Sequence, residues 1–298
     1  MSDDHRLGDL LARGLDDNTR VALVGFPSDE GVRRNGGRAG AAGGPTAIRQ
    51  ALVSMTSAAA AGPGFVALLE RTTDLGDVEV TGDVESDQAR LAATLAPLLS
   101  RGIVPIILGG GHETTYGHFL GYVECGHDIA ILNWDAHADV RPLADGRGHS
   151  GSPFRQALEH PSGHCRRYDV AGLMPWRVAA SHAAFVRERG GSTWWRDELT
   201  DERIYEIAGV AGADSIASFD LDLVDASAAP GVSAPGVGGL APASWLLAAR
   251  ACGENPAFAS FDIVEMNPAF DSDGRTATLA ALTVWHLLRG MAARPPPG

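Results

Sequence analysis

Asp128–Asp139 reads DIAILNWDAHAD: a short apolar run, Asp128–Asn133, that opens into Asp135, His137 and Asp139. A run of this length is too short for a core helix and predicts a strand buried on both faces of a sheet. The three polar residues alternate at period two, so in extended chain they project to the same side. Working outward, Arg20–Gly25 (RVALVG), Gly102–Leu108 (GIVPIIL), Asp169–Leu173, Ser215–Phe219 and Ala257–Val264 share the buried-strand character. Between them lie helical stretches. Ala89–Leu99 has apolar residues at helical spacing with Asp87 near its start, Pro242–Ala251 opens on a proline, and Thr276–Leu288 is long and amphipathic. Alternation of strand and helix predicts a parallel sheet with helices on both faces. No repeat and no linker divides the chain, so residues 1–298 are expected to form one domain.

Composition excludes several alternatives. With 45% apolar and 20% charged residues the chain can build a core, and three cysteines without paired spacing exclude a disulfide scaffold. No apolar run approaches the roughly 20 residues that span a bilayer. The N-terminal MSDDHRLGDLLARGLDD is acidic and lacks the apolar stretch of a signal peptide, so a cytoplasmic protein with no membrane contact is expected. The 24 basic residues against 37 acidic ones give a net charge of −13, which argues against a nucleic-acid partner. All 24 are arginine. A chain without lysine has no Schiff base, lysine nucleophile or phosphate-loop lysine.

The strand ends carry the chemistry. After the second run comes Gly109-Gly110-Gly111-His112-Glu113, after the third Asp135-Ala136-His137-Ala138-Asp139, after Ser215–Phe219 Asp220-Leu221-Asp222, and after Ala257–Phe261 Asp262-Ile263-Val264-Glu265. Ligands of open α/β sheets gather at the carboxyl ends of strands. Of the glycine-rich loops Asn35–Gly44, Gly109–Gly111 and Gly231–Gly239, two lie at or shortly after such ends. A lone Asp-x-His or Asp-x-Asp is ordinarily a cap or a salt-bridge partner; four such signals on one rim are not. Four carboxylates and two imidazoles held together need cations, and two divalent ions balance the four negative charges. Oxygen and nitrogen ligands without thiolate favour a harder ion such as Mn²⁺, and a water bridging two such ions becomes hydroxide near neutral pH.

Gly109–Glu113, Asp135–Asp139, Ser218–Asp222 and Asp262–Pro268 together resemble the signature regions of the ureohydrolases, the arginase and agmatinase superfamily. The resemblance runs from about Val21 to Leu288. It implies a three-layer α/β/α sandwich around a mostly parallel eight-stranded sheet, and a di-manganese site that hydrolyses C–N bonds of guanidino or amidino groups. Carried over by position, one Mn²⁺ takes His112, Asp135, Asp139 and Asp220, and the other His137, Asp135, Asp220 and Asp222. It also implies a homo-oligomer, a trimer or hexamer. Residues 1–19 then form an N-terminal extension, and 291–298, ending in RPPPG, a frayed tail.

Gly25–Arg38, Gly109–Phe119, Ser150–Gln156 and Asn267–Arg275 resemble the formimidoylglutamase branch, which splits N-formimidoyl-L-glutamate into L-glutamate and formamide in histidine degradation. The protonated formimidoyl group is a cationic amidine, for which Glu265 is the expected partner; Asp139 is expected to orient the hydroxide. The two substrate carboxylates call for cations. Arg141, two residues beyond Asp139, is the first choice as a bidentate donor, and Arg33, Arg34 and Arg38 with Asn35 are the second, their alternative being loop-fixing salt bridges. Arginases and agmatinases carry a proton-transfer histidine directly before the glycine corresponding to Gly151. Here that position is Ser150, expected at the substrate, with His149 one residue earlier as a stand-in or as a plain loop residue. His118, on the helix after Glu113, reads as a packed core histidine before a residue supporting the metal site, and the six tryptophans read as structural, with the pair Trp194-Trp195 also able to contribute to an interface. Two rivals stand beside this reading: the same chemistry on arginine, agmatine or guanidinobutyrate, and a non-catalytic binding member of the fold.

Overall fold

The computed structural model describes residues 5–12, 14–57, 61–212 and 214–295. The apolar runs become strands β1 (Val21–Phe26), β3 (Val104–Gly109), β4 (Ile129–Trp134), β5 (Cys165–Leu173), β7 (Ser215–Asp220) and β8 (Phe258–Val264). Two further strands, β2 (Thr72–Asp77) and β6 (Thr193–Trp195), were not evident in the sequence. They are the edges of one sheet, ordered β2-β1-β3-β8-β7-β4-β5-β6, in which every pairing is parallel. Edge position explains their silence: β2 reads TTDLGD, half polar, and β6 is three residues long.

Helices cover both faces. On one lie α1 (Leu7–Leu10), α3 (Gly44–Val53), α4 (Pro63–Leu69), α9 (Asp201–Gly209), α10 (Pro242–Glu254) and α11 (Arg275–Ala292), closing over a core that includes Phe65, Phe219 and Trp245. On the other lie α5 (Val84–Ser100), α6 (Thr114–Cys125), α7 (Pro153–Leu158) and α8 (Ala180–Glu188), over Leu91, Leu95, Phe119 and Phe154. The short α2 (Glu30–Arg34) follows the carboxyl end of β1. Local chemistry sets the helix starts. The Asp83 carboxylate caps α5 by accepting the Ser86 N–H at 3.1 Å, and Asp271 accepts the first N–H groups of α11, Thr276 at 3.0 Å and Ala277 at 2.9 Å. On α10 and α11, Gly253 and Gly290 let the backbones touch; a Cβ on Gly290 would sit 2.4 Å from the Arg250 carbonyl.

The chain ends are tied in where they are described. Leu7 is fully buried and its N–H donates to Met55 O at 2.7 Å, while the Ala12 N–H donates to Thr72 O at 2.8 Å. The tail expected to fray is packed at its start: Met291 is buried, and Arg294 donates to the carbonyls of Gly253 and Phe258 at 2.7 and 3.1 Å. Residues 1–4 and 296–298 lie outside the described residues. Trp194 and Trp195 are half-buried against their own core clusters. No helix among the described residues is long and apolar enough to cross a membrane.

Candidate metal centre and substrate cavity

The four strands that carry the polar residues, β3, β8, β7 and β4, are neighbours in the sheet, so their carboxyl ends meet. His112 is placed by the Gly109–Gly111 run, whose N–H groups at Gly110 and Gly111 donate to Phe26 O at 2.9 Å and Ser28 O at 2.8 Å. A Cβ at Gly110 would lie 1.8 Å from the Ser28 carbonyl, so only glycine lets β3 turn so close to β1. From β4 come Asp135, His137 and Asp139, and from β7 Asp220 and Asp222. Asp139 (φ 43°) and Glu265 (φ 68°) hold left-handed backbone, a strain that gathers at functional sites.

His112, Asp135, Asp139 and Asp220 offer ligand atoms that lie together, and Asp135, His137 and Asp222 form a second such group, sharing Asp135. Asp220 falls in the first group, while its Oδ1 accepts the Asp222 N–H at 2.8 Å. His112 Nδ1 lies 2.9 Å from Asp220 Oδ2, 3.0 Å from Asp139 Oδ2 and 3.4 Å from Asp135 Oδ2. It is aligned for a hydrogen bond with none of them, and Asp222 Oδ1 and Glu265 Oε2 are likewise buried without partners. His137 Nδ1 lies 3.1 Å from Asp222 Oδ2. A buried lone pair aimed among carboxylate oxygens is stabilised by a cation, so the donor set fits a pair of divalent metals.

The electrostatics agree. Burial works against an imidazolium at His112, yet Asp135, Asp139 and Asp220 outweigh it and hold the ring well above its ordinary value. His137 is raised in the same way, with Asp222 the strongest influence against burial. Burial, then Asp222 and Asp135, push the Asp220 carboxyl well up, whereas Asp135, between the two imidazoles, is lowered in spite of its burial. Glu265 is raised by burial and by Asp220 and Glu113. The cluster cannot keep its carboxylates ionised side by side without positive charge.

A cavity of about 290 Å³ adjoins the cluster, lined by His137, Asp139, Asp220, Asp222 and Glu265, and also by Asn35, Arg38, Arg141, Ser150 and Ser233. Arg141 donates from Nη1 to Asn35 Oδ1 at 3.1 Å, and Asn35 Nδ2 donates to Ser150 Oγ at 3.1 Å, so these three expected residues form one ladder. Glu265 Oε1 accepts the His112 N–H at 2.9 Å, which leaves Oε2 as its open atom.

Three of the expected residues, Arg33, Arg34 and His149, are not among those lining the cavity. Arg33 is largely exposed and reaches back to Asp29 at 3.5 Å. Arg34 is bidentate to Glu85 at 2.7 and 3.1 Å and donates to Gly148 O at 3.0 Å, so both are loop-fixing and neither lines the cavity. Arg38 does line it, with its guanidinium stacked 3.9 Å from the centre of the Phe270 ring and donating from Nε to Ser233 O at 2.9 Å and from Nη2 to Val232 O at 2.5 Å. His149 is buried in its own loop: Nδ1 accepts the Gly151 N–H at 3.1 Å and Nε2 donates to Pro142 O at 3.1 Å. Both nitrogens are engaged by backbone partners, and Ser150, not His149, lines the cavity. Ser233 and Ala234 were not singled out by sequence reasoning, although their loop, Gly231–Gly239, was. Elsewhere His164 pairs with Asp128 and His160 with Ser162, and neither joins a metal group.

Fold and site together define a carboxylate-rich dimetal centre at the carboxyl rim of a parallel α/β sheet. Residues 19–289 match the family model of the arginase family. The chain is 36% identical to the formimidoylglutamase of Chromobacterium violaceum over 281 residues, covering 90% of this chain and 87% of that one. It is 39% identical to that of Geobacillus kaustophilus over 271 residues, covering 88% and 81%. The crystal structure of Trypanosoma cruzi formiminoglutamase with Mn2+2 superposes with a TM-score of 0.90 at 32% identity, covering 98% of this chain and 100% of that one. The chain belongs to the arginase family.

Proposed function

We propose that this protein hydrolyses N-formimidoyl-L-glutamate to L-glutamate and formamide, using two Mn²⁺ ions held by His112, Asp135, Asp139 and Asp220 and by His137, Asp135, Asp220 and Asp222. The carrying observation is the cavity itself. It joins an acidic cluster and two arginines, Arg38 and Arg141, in a chain of net charge −13. A substrate with a cationic amidine at one end and two carboxylates at the other is complementary to that pairing. The relatives named formimidoylglutamase and the Mn2+2 structure of the Trypanosoma cruzi formiminoglutamase support the reading.

A metal pair held by these residues would supply an acidified water as nucleophile and charge stabilisation at the reacting carbon. Around it, the residues of the chain have distinct work. Glu265, with Oε1 tied to the His112 N–H, presents Oε2 to the amidinium nitrogens. Asp139, whose Oδ2 lies 3.0 Å from His112 Nδ1 and which lines the cavity, would take a proton from the nucleophilic water and return it to the departing glutamate amine. Arg141, steadied by Asn35 and Ser150, binds a carboxylate as a charge-assisted donor. No step falls to His149. The chain acts as one ureohydrolase unit and, in line with its family resemblance, as a cytoplasmic trimer or hexamer.

The test is a Mn²⁺-reconstituted assay of N-formimidoyl-L-glutamate beside arginine, agmatine and 4-guanidinobutyrate. Glutamate and formamide from the first alone support the proposal. Urea from a guanidino compound overturns the substrate while keeping the metal chemistry, and no turnover with two ions bound turns the reading toward a binding protein.

A further inference from the structure

Glu113, at the end of the Gly109–Glu113 run, carries a buried carboxyl group that the chemistry above does not use. Burial of such a group is costly unless hydrogen bonds offset it. Glu113 Oε1 accepts the Gly31 N–H at 2.9 Å and the Ser28 hydroxyl at 3.2 Å, while Oε2 has no partner. Both bonds lead to the segment that opens α2. A Cβ at Gly31 would lie 2.5 Å from the Glu113 carboxyl carbon, so the group lies directly against the backbone of the helix.

α2 needs that support. Five residues are too few for a helix to hold by itself, and its own N-cap residue, Asp29, makes no capping bond. Asp29 Oδ2 accepts the Gly40 N–H at 2.6 Å instead. The acceptor at the helix start therefore comes from Glu113, 82 residues along the chain from Gly31. From Gly31 the order passes on to the cavity. The Gly31 carbonyl accepts the N–H groups of Asn35 and Ser150, each at 3.1 Å. Those two residues are the rungs that align Arg141. Gly31 thus ties the buried carboxyl group on one side to the arginine end of the cavity on the other.

We propose that Glu113 is a positioning residue: it caps α2 from a distant part of the chain and, through Gly31, sets the alignment of Asn35, Ser150 and Arg141 toward the substrate carboxylates. It acts by reach and not by charge, because what α2 lacks is an acceptor at the Gly31 N–H. The link to substrate rests on the proposed function; the anchoring of α2 does not.

The experiment sets Glu113→Asp against Glu113→Gln in the Mn²⁺-loaded full chain. Glu113→Asp keeps the charge and draws the acceptor back by one methylene; Glu113→Gln removes the charge and keeps an acceptor oxygen. Glu113→Asp is expected to raise KM for N-formimidoyl-L-glutamate about 3–30-fold, the span of a lost helix cap, with a smaller change in kcat. Glu113→Gln is expected to keep the wild-type KM. Hydrogen exchange, read by mass spectrometry on peptides spanning α2 and Ser150, is expected to quicken in Glu113→Asp and to stay at the wild-type rate in Glu113→Gln. Thr283→Val, which loses the hydroxyl bonded to Trp245 Nε1 between α10 and α11, is expected to lower Tm and leave KM alone. Wild-type KM and exchange in Glu113→Asp overturn the proposal, as does a Glu113→Gln protein that fails in the same way. So does a KM rise that only follows lost Mn²⁺ or that Thr283→Val shares. Should Glu113→Asp not fold, the wild type decides: slow exchange at Gly31 and Ser150 supports the anchor, and exchange at the rate of an open loop overturns it. A wild type inactive on N-formimidoyl-L-glutamate overturns the proposed function, while the exchange comparison still decides whether Glu113 anchors α2.

Discussion

Arg141 shows how much a single side chain carries. Its guanidinium is aligned by Asn35, and a bidentate bond to a carboxylate contributes about 1.5–3 kcal/mol. Arg141→Gln is therefore expected to raise KM for N-formimidoyl-L-glutamate roughly 10–100-fold with a smaller change in kcat; an unchanged KM would remove Arg141 from substrate recognition. His286 makes a different point. It is half-buried beside Trp285, and burial, then Arg289 and Arg250, lower it from 6.5 to about 4. A histidine depressed on folding binds fewer protons in the folded chain than in the unfolded one between pH 4 and 6.5. Stability thus rises with pH across that window and is lost on acidification through it. Allowing for its partial exposure, the loss at pH 4.5 is about 1 kcal/mol. His286→Gln should narrow the gap in Tm between pH 7.5 and pH 4.5 by about 2 °C or more; an equal gap in both proteins contradicts the assignment.

At the scale of elements, α10 and α11 are packed backbone to backbone through Gly253 and Gly290. Gly290→Ala forces the helices apart and is expected to cost about 1–3 kcal/mol, seen as a lower denaturant midpoint. A midpoint within error of wild type would mean that the pair can slide without loss. This scale also shows what the sequence could reveal. The six inner strands were legible because burial on both faces leaves near-continuous apolar runs, and the clustered histidines and carboxylates were legible because they follow such runs. The substrate side was not. α2 has five residues, too few to display a period, and Arg38 lies in the irregular loop beyond it, so nothing told Arg34, turned to Glu85, from Arg38, at the cavity. His149 and Ser150 are adjacent and point different ways, which only the loop geometry decides. The bond from the Gly31 N–H to Glu113 joins residues 82 apart in sequence and carries no local mark.

For the whole molecule, the acidic cluster links stability to metal. Ions that bind only the folded chain stabilise it by mass action, about 2.7 kcal/mol for each one present at a hundred times its Kd. Stripping both with a chelator is expected to lower Tm by roughly 5 °C or more; a Tm unmoved while metal analysis shows both ions gone would deny that the cluster holds them in the folded state. The sheet order adds a final consequence. The last strand in sequence, β8, lies in the middle, hydrogen-bonded to β3 on one side and β7 on the other. Until it is inserted, His112 rides on one half-sheet and Asp135 and Asp220 on another, with no ladder joining them. A chain in which β8 has not docked lacks the ladder that holds the His112 side of the cluster beside the Asp135 and Asp220 side. Docking of β8 is thus the folding step on which closure of the metal cluster depends.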